Sequence, residues 1–229
     1  MDKSRFIIEH VPFFRSLTPA ELEPLTPLFH ERRYKKGTPI FFEDDEGEEF
    51  FIIISGTVKI YRMEGTKEFI LAIFREGDFF GEMALVQTGK YRSATAEAIE
   101  PTVVYVMQRK AFIQLLETNA KLTYKILEVT MDRLRIANEK IEDLTFLDVR
   151  SRIFRSILRL ARDYGVAKQQ GILIDFKLTH QQLADMVGAV RETVTKVLLE
   201  LQDEHLIDID KKRIMIKDLA RFEQKIPHH

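Results

Sequence analysis

The chain has 229 residues, 45% of them apolar and 31% charged, with a formal net charge of −1 and no cysteine. That length suffices for two modest domains with cores of their own. The lack of cysteine excludes disulfides, a thiol redox switch and a cysteine-ligated iron–sulfur cluster. No run approaches the roughly 18–20 apolar residues that a membrane span needs. Met1-Asp2-Lys3-Ser4-Arg5 leads into mixed residues and not into a secretory apolar core, so a cytoplasmic protein is expected. Charge is unevenly spread: residues 1–148 carry 20 basic against 25 acidic residues, and residues 149–229 carry 15 against 11. A basic C-terminal part on an acidic body is expected to be the part that meets nucleic acid. His10, His30, His180 and His205 lack metal-ligand spacing and read as surface or packing residues, and His228-His229 carries no reading.

Residues 4–30 read as short helical pieces, with Phe13-Phe14 as an apolar anchor and Thr18-Pro19-Ala20-Glu21 as a capping box with a first-turn proline. From Arg32 to about Gln108 short β-type runs alternate with glycines. The clearest are residues 39–42, 49–54, 58–61, 68–74 and 103–106. Many short strands with regular turn signals predict a β-roll or jelly roll, a fold able to enclose one small ligand.

Inside that region Gly81-Glu82-Met83-Ala84-Leu85 is followed by Arg92-Ser93-Ala94. A short helical turn offers unpaired N–H groups and the positive end of a dipole, which favour an anion. Arg92 can meet a phosphate bidentately and the Ser93 hydroxyl can add a hydrogen bond. Glu82 repels a phosphate but can accept a ribose hydroxyl and hold Arg92 in place. The segment therefore reads as a sugar-phosphate cradle. The plainer alternative is a Glu82–Arg92 surface ion pair with Gly81 closing a turn.

From Arg109 to Leu147 the periodicity is helical. Leu127, Leu134 and Ile141 are seven apart, with Thr130, Ala137 and Leu144 at a second seam position. Two such helices could pair in a homodimer, the alternative being that the stripe packs on its own barrel. Asp132, Arg133, Arg135, Glu139 and Lys140 are expected to cover the remaining faces, and Phe146-Leu147-Asp148 to form a hinge. Residues 150–164 read as an amphipathic helix with Ile153, Ile157, Leu160 and Ala161 inward, and residues 172–176 as a strand.

Thr179-His180-Gln181-Gln182 forms a capping box that opens a helix, Gly188 supplies a tight turn, and a second helix runs from Arg191 to about Glu204. Residues 206–209 and 213–216 then pair as a hairpin around Asp210-Lys211-Lys212. This is a winged helix-turn-helix, with the second helix entering the major groove and the basic tip on backbone phosphates. Arg191, Glu192, Thr195 and Lys196 share one face. Arginine can bind guanine bidentately and glutamate can accept from cytosine N4. Thr179, Gln181, Lys211 and Lys212 complete the expected DNA contacts. Val190 stands at a helix N-cap where serine would be expected.

Residues 77–82 (Gly-Asp-Phe-Phe-Gly-Glu) with 92–96 (Arg-Ser-Ala-Thr-Ala) resemble the phosphate-binding cassette of cyclic-nucleotide-binding domains. With Ile54-Ser55-Gly56-Thr57-Val58, Glu139-Lys140, Phe146-Leu147-Asp148-Val149 and Val187-Gly188-Ala189-Val190-Arg191-Glu192-Thr193-Val194, nearly the whole chain is similar to the Crp/Fnr regulators, within them the cAMP receptor branch.

The resemblance implies an α+β chain in three parts: a cyclic-nucleotide-binding β-roll over 1–110, a dimerisation helix and hinge over 111–147, and a winged helix-turn-helix over 148–229. It implies a transcription regulator and not an enzyme: a homodimer on a palindromic double-stranded DNA site, with RNA polymerase and a small-molecule effector as further partners. Cyclic AMP or cyclic GMP would be the effector, with no metal, haem or iron–sulfur cluster. Its ligand contacts would be Gly81, Glu82, Met83, Ala84, Arg92, Ser93, Ala94 and Asn138. A Thr-Ser pair meets the purine in the cAMP-specific relatives, and Ala137-Asn138 stands there instead. Lys196 replaces a base-contacting arginine and lacks its fork geometry. The alternatives are an effector-independent regulator with a vestigial pocket, or one that answers to a different small ligand.

Overall fold

The structure, a computed structural model, describes residues 7, 9–15, 17–87, 89 and 91–225. The opening segment Met1–Arg5 and His228-His229 lie outside the described residues. The chain forms two compact units, Met1–Leu134 and Arg135–His229.

In the first unit two four-stranded sheets face each other. One has the order β1 (His30–Tyr34), β8 (Thr102–Gln108), β3 (Glu49–Ser55), β6 (Phe79–Phe80). The other has the order β2 (Thr38–Phe41), β7 (Thr95–Ala98), β4 (Thr57–Glu64), β5 (Lys67–Arg75). Phe51, Ile53, Val58, Phe80, Ala96, Val104 and Val106 fill the space between the sheets. The opposite face of β3 is buried too: Phe50 and Ile52 pack with Phe13, Phe14, Phe29, Phe79 and Phe112 in a second, aromatic-rich core. A strand buried on both faces needs apolar residues at every position, which accounts for the unbroken run Phe50-Phe51-Ile52-Ile53-Ile54. The expected β-roll is present. Strands β1, β6 and β7 had no clear signal: β1 is a charged, largely exposed edge and β6 has two residues.

The predicted capping box is formed at Thr18, where α1 (Pro19–Leu22) begins. The cassette turn is α2 (Met83–Val86). The helical stretch after the roll divides into α3 (Arg109–Thr118) and α4 (Ala120–Phe146). Between them Asn119 leaves helical geometry (φ −130°, ψ 94°) and its side chain accepts from Leu122 N at 3.1 Å. A side chain that satisfies a free N–H in this way starts a new helix.

The second unit holds the C-terminal part of α4, then α5 (Val149–Tyr164), α6 (His180–Val187), α7 (Arg191–Asp203) and α8 (Leu219–Glu223). Its sheet has the order β11 (Ile207–Asp210), β12 (Arg213–Ile216), β10 (Gly171–Ile174), β9 (Gly165–Lys168). Ile153, Ile157, Leu160 and Ala161 are buried along α5 as the pattern requires. Asp148 caps that helix by accepting from Ser151 N at 2.7 Å. β9 is exposed at all four positions and gave no amphipathic signal.

Two charged residues depart from the expected solvated faces of α4. Arg133 turns into the roll, and Lys140 is half-buried. Burial and then the Arg159 charge push Lys140 down to about 8. Beside it, Asp143 Oδ1 accepts from Arg155 at 2.5 Å and Asp143 Oδ2 from Arg159 at 3.3 Å.

Candidate functional site

Gly81, at φ 84°, turns the chain from β6 into α2. The turn's own hydrogen bonds begin at Leu85 and Val86, both donating to Glu82 O, so the N–H groups of Met83 and Ala84 precede the ladder. Glu82 and Arg92 are both buried here, at 6% and 4% exposure. Glu82 does not hold Arg92, contrary to the sequence expectation. Its Oε1 accepts from Arg133 Nη1 at 2.7 Å, and Arg133 Nη2 donates to Phe79 O at 2.6 Å. The Arg133 guanidinium lies 4.6 Å and 4.7 Å from the Phe74 and Phe79 ring centres, a favourable placement for a cation over a ring face.

Arg92 is held by backbone. Its Nη1 donates to Gly81 O and its Nη2 to Glu49 O, each at 2.8 Å, and its guanidinium lies 4.1 Å over Phe41. Burial lowers the Arg92 pKa from its ordinary value, and the Glu49 and Glu82 charges oppose that shift. Gly47 lets the loop close on this side chain: a Cβ there would stand 2.3 Å from Ala84 Cβ and 3.1 Å from Arg92 Nε. Ala84 and Ala94 line the buried side, while Met83 and Ser93 are exposed and Ser93 Oγ lies 3.8 Å from Met83 Sδ.

Two buried atoms among the described residues have no hydrogen-bond partner: Glu82 Oε2, an acceptor, and Arg92 Nε, a donor. Such groups cost about 1–3 kcal/mol each when unsatisfied. A ribose hydroxyl and a phosphate oxygen are the complementary partners, so the residues present fit a ribose phosphate. Sequence reasoning missed Arg133, Gly47, Phe41 and the Glu49 carbonyl. No local signal points to them, because each reaches the site by tertiary packing.

In the second unit the DNA-type motif is built as expected. Thr179 Oγ1 accepts from Gln182 N at 3.1 Å, Thr179 N donates to Gln182 Oε1 at 2.9 Å, and Gly188 closes α6 in the left-handed region (φ 64°, ψ 45°). Val190 is the N-cap of α7 with no side-chain cap bond. Arg191, Glu192, Thr195 and Lys196 line one surface groove with Leu199. Arg191, Glu192 and Lys196 are exposed, whereas the Thr195 hydroxyl is engaged with its own helix at Arg191 O. Gln181 is exposed and bonded to Asp185 Oδ1 at 2.7 Å. Lys211 and Lys212 form the two-residue hairpin turn with φ of 48° and 67°. Such a turn normally selects Asn-Gly; two lysines there spend conformational strain on a cationic tip. Among the described residues no group of His, Asp and Glu could hold a metal ion, and no helix is long and apolar enough to cross a membrane.

Residues 31–119 match the cyclic nucleotide-binding domain family, and residues 151–225 match the Crp-like helix-turn-helix domain family. The chain is 31% identical to the cyclic AMP receptor protein of Thermus thermophilus, over 93% of this chain and 95% of that protein. Among solved structures it is similar to a CooA mutant from Carboxydothermus hydrogenoformans, with 26% identity, a TM-score of 0.75, and 88% and 89% of the two chains covered. It is also similar to CLP, the c-di-GMP responsive global regulator of Xanthomonas campestris, with 27% identity, a TM-score of 0.74, and 88% and 100% covered. The chain belongs to the Crp-like transcription regulators. It is a DNA-binding regulator with a cyclic nucleotide-binding domain and a Crp-like helix-turn-helix.

Proposed function

We propose that this regulator is a cytoplasmic homodimer that binds palindromic DNA under the control of a cyclic nucleotide held in the β-roll. The observation that carries this reading is the pair of buried, unpartnered atoms, Glu82 Oε2 and Arg92 Nε. A ribose hydroxyl donating to the first and a phosphate oxygen accepting from the second would satisfy both. Gly81, Met83, Ala84, Ser93 and Ala94 shape the cradle, and Asn138, exposed on α4, would meet the base with either donor or acceptor. Cyclic AMP is the first candidate, since the Thermus thermophilus relative carries its name. The effector part, the dimer helix and the DNA-binding part divide near residues 110 and 147.

Leu127, Leu134, Ile141 and Leu144 support the dimer, being 46–62% exposed along α4. An apolar seam at heptad spacing is what a second copy of the helix would cover. RNA polymerase is the expected further partner, and the protein would have no catalytic role.

A second reading has its own support. Both terminal nitrogens of Arg92 are already satisfied by backbone carbonyls, as an effector-independent regulator with a structural arginine would need. Calorimetry with cAMP, cGMP and c-di-GMP, joined to DNA binding with and without each, separates the two. Heat with one nucleotide and tighter DNA binding in its presence is expected. No heat with any of them would leave the effector-independent reading.

A further inference from the structure

His180 opens α6, and its ring Nδ1 lies 2.9 Å from Thr195 Oγ1 on α7. The Thr195 hydroxyl has a single proton, which it donates to Arg191 O at 2.9 Å. With that proton on Arg191 O, the oxygen accepts from the ring and His180 carries its hydrogen on Nδ1. Protonation leaves Nδ1–H in place, because the nitrogen that titrates is Nε2. The hydrogen bond between the two helices therefore survives in both charge states.

The same ring lines a cleft with Thr179, Gln181, Arg191, Ile209 and Lys212. Three elements contribute to it: the start of α6, the start of α7 and the wing. The charged residues of its lining are Arg191 and Lys212, both cations. Burial and then the Arg191 charge hold His180 below the ordinary imidazole range, so the ring of the free protein is neutral at neutral pH.

We infer that His180 is a positioning residue of the DNA-reading face: it fixes the first turn of α7 through Thr195 and takes up a solvent proton on Nε2 when a backbone phosphate enters the cleft. This rests on the DNA-binding reading above and deepens it. Two consequences follow. Thr195 is fixed in direction, because its one proton goes to Arg191 O and one of its two lone pairs to His180, which leaves a single oriented acceptor towards the duplex. Affinity is coupled to pH through one group: a phosphate raises the imidazole value in the complex. The gain is complete below the free value and is lost as pH rises through the bound one. Between them one proton changes affinity by up to about tenfold per pH unit.

The test uses the full-length protein with saturating cAMP and, separately, without nucleotide. Binding to a palindromic duplex selected from a random pool, and to an unrelated duplex, is measured from pH 5.5 to 8.5 at constant ionic strength. The wild type should bind both duplexes more tightly as pH falls from the bound towards the free imidazole value, with a slope of up to about tenfold per unit inside that window and none outside it. H180N keeps an amide donor near the Nδ1 position but cannot titrate. It should retain the preference for the palindrome and lose most of the pH slope. T195V should keep the slope and lose about tenfold in the ratio of specific to non-specific binding, a loss of ~1–3 kcal/mol being usual for a misplaced base contact. An H180N slope equal to that of the wild type would overturn the proton uptake, and an unchanged ratio in T195V would overturn the positioning role. A wild type that shows no preference for any duplex would instead sink the DNA-reading assignment itself, and this inference with it.

Discussion

The two candidate sites are assembled over different ranges of the chain. In the β-roll, Arg92 reaches Glu49 O across 43 positions, and Arg133 reaches Glu82 across 51 and Phe79 O across 54. On the DNA-reading face the organising bonds span three positions (Gln182 to Thr179) or four (Thr195 to Arg191), the His180–Thr195 bond being the longest at fifteen. The first site is buried and its charges support the fold. The second exposes Arg191, Glu192 and Lys196 to solvent. In the roll, function and stability therefore reside in the same side chains, and on the DNA face they are separable.

Arg92→Leu gives that contrast its largest test. It would strand Gly81 O and Glu49 O, each now bonded at 2.8 Å, and remove the cation over Phe41. Two part-buried acceptors left without their donor cost about 1–3 kcal/mol together, less than the full penalty for fully buried groups. Thermal unfolding of the first unit should fall accordingly, and nucleotide binding should vanish in calorimetry. Loss of nucleotide binding with unchanged unfolding would show that Arg92 serves the ligand alone, and the contrast between the regions would fail there.

Lys140→Met tests whether a half-buried charge has the same double role in the second unit. The Lys140 amine sits at about 8, lowered from 10.5 by burial and Arg159, while Asp143 and Asp163 oppose the shift. A lysine with a depressed folded value binds fewer protons folded than unfolded, so stability rises with pH between about 8 and 10.5. Removing the amine should stabilise this unit by about 1–3 kcal/mol at pH 7 and flatten that alkaline rise. Denaturant unfolding at pH 7 and 10 checks both. A destabilised variant would mean that the ion pairs outweigh the burial cost.

Glu192→Ala probes the exposed face, where a substitution should leave the fold alone. Preference at one base pair should relax by ~1–3 kcal/mol, read by competition between duplexes that differ at that pair. Equal weakening on every duplex would make Glu192 a contributor to helix α7 and not a reader.

The same difference in range explains what the sequence disclosed. The helix-turn-helix was legible nearly to the residue, because a capping box and a left-handed glycine are written in neighbouring positions. The roll was legible as an alternation of apolar runs and glycines. Its edge strand β1 and the two-residue β6 were not, since neither buries a patterned face of its own. In the candidate effector site Gly81, Glu82 and Arg92 lie together, as their spacing suggested. The partner assigned to Glu82 was wrong: Arg133 sits in a helix whose local pattern reads as a charged surface, and only packing against Phe74 and Phe79 turns it inward. Lys140 was read as part of the same charged face, and its partial burial likewise comes from tertiary packing.

Val190→Ser is the smallest test and the most local. Val190 has the extended geometry of an N-cap (φ −89°, ψ 148°) but offers no side-chain acceptor, and the residue is 62% exposed. A serine there can accept from the N–H of the second or third residue of α7, replacing a water contact with an intramolecular one. Neither backbone geometry nor packing has to change for it to do so. The gain should be about 0.5–1 kcal/mol, visible as a raised unfolding temperature of the second unit. DNA specificity should stay the same if the readers are Arg191, Glu192 and Lys196 alone. Unchanged stability would mean that water already satisfies those N–H groups at no cost. A changed specificity would place residue 190 itself in contact with the duplex, and stability and recognition would then be as entangled at this cap as they are in the roll.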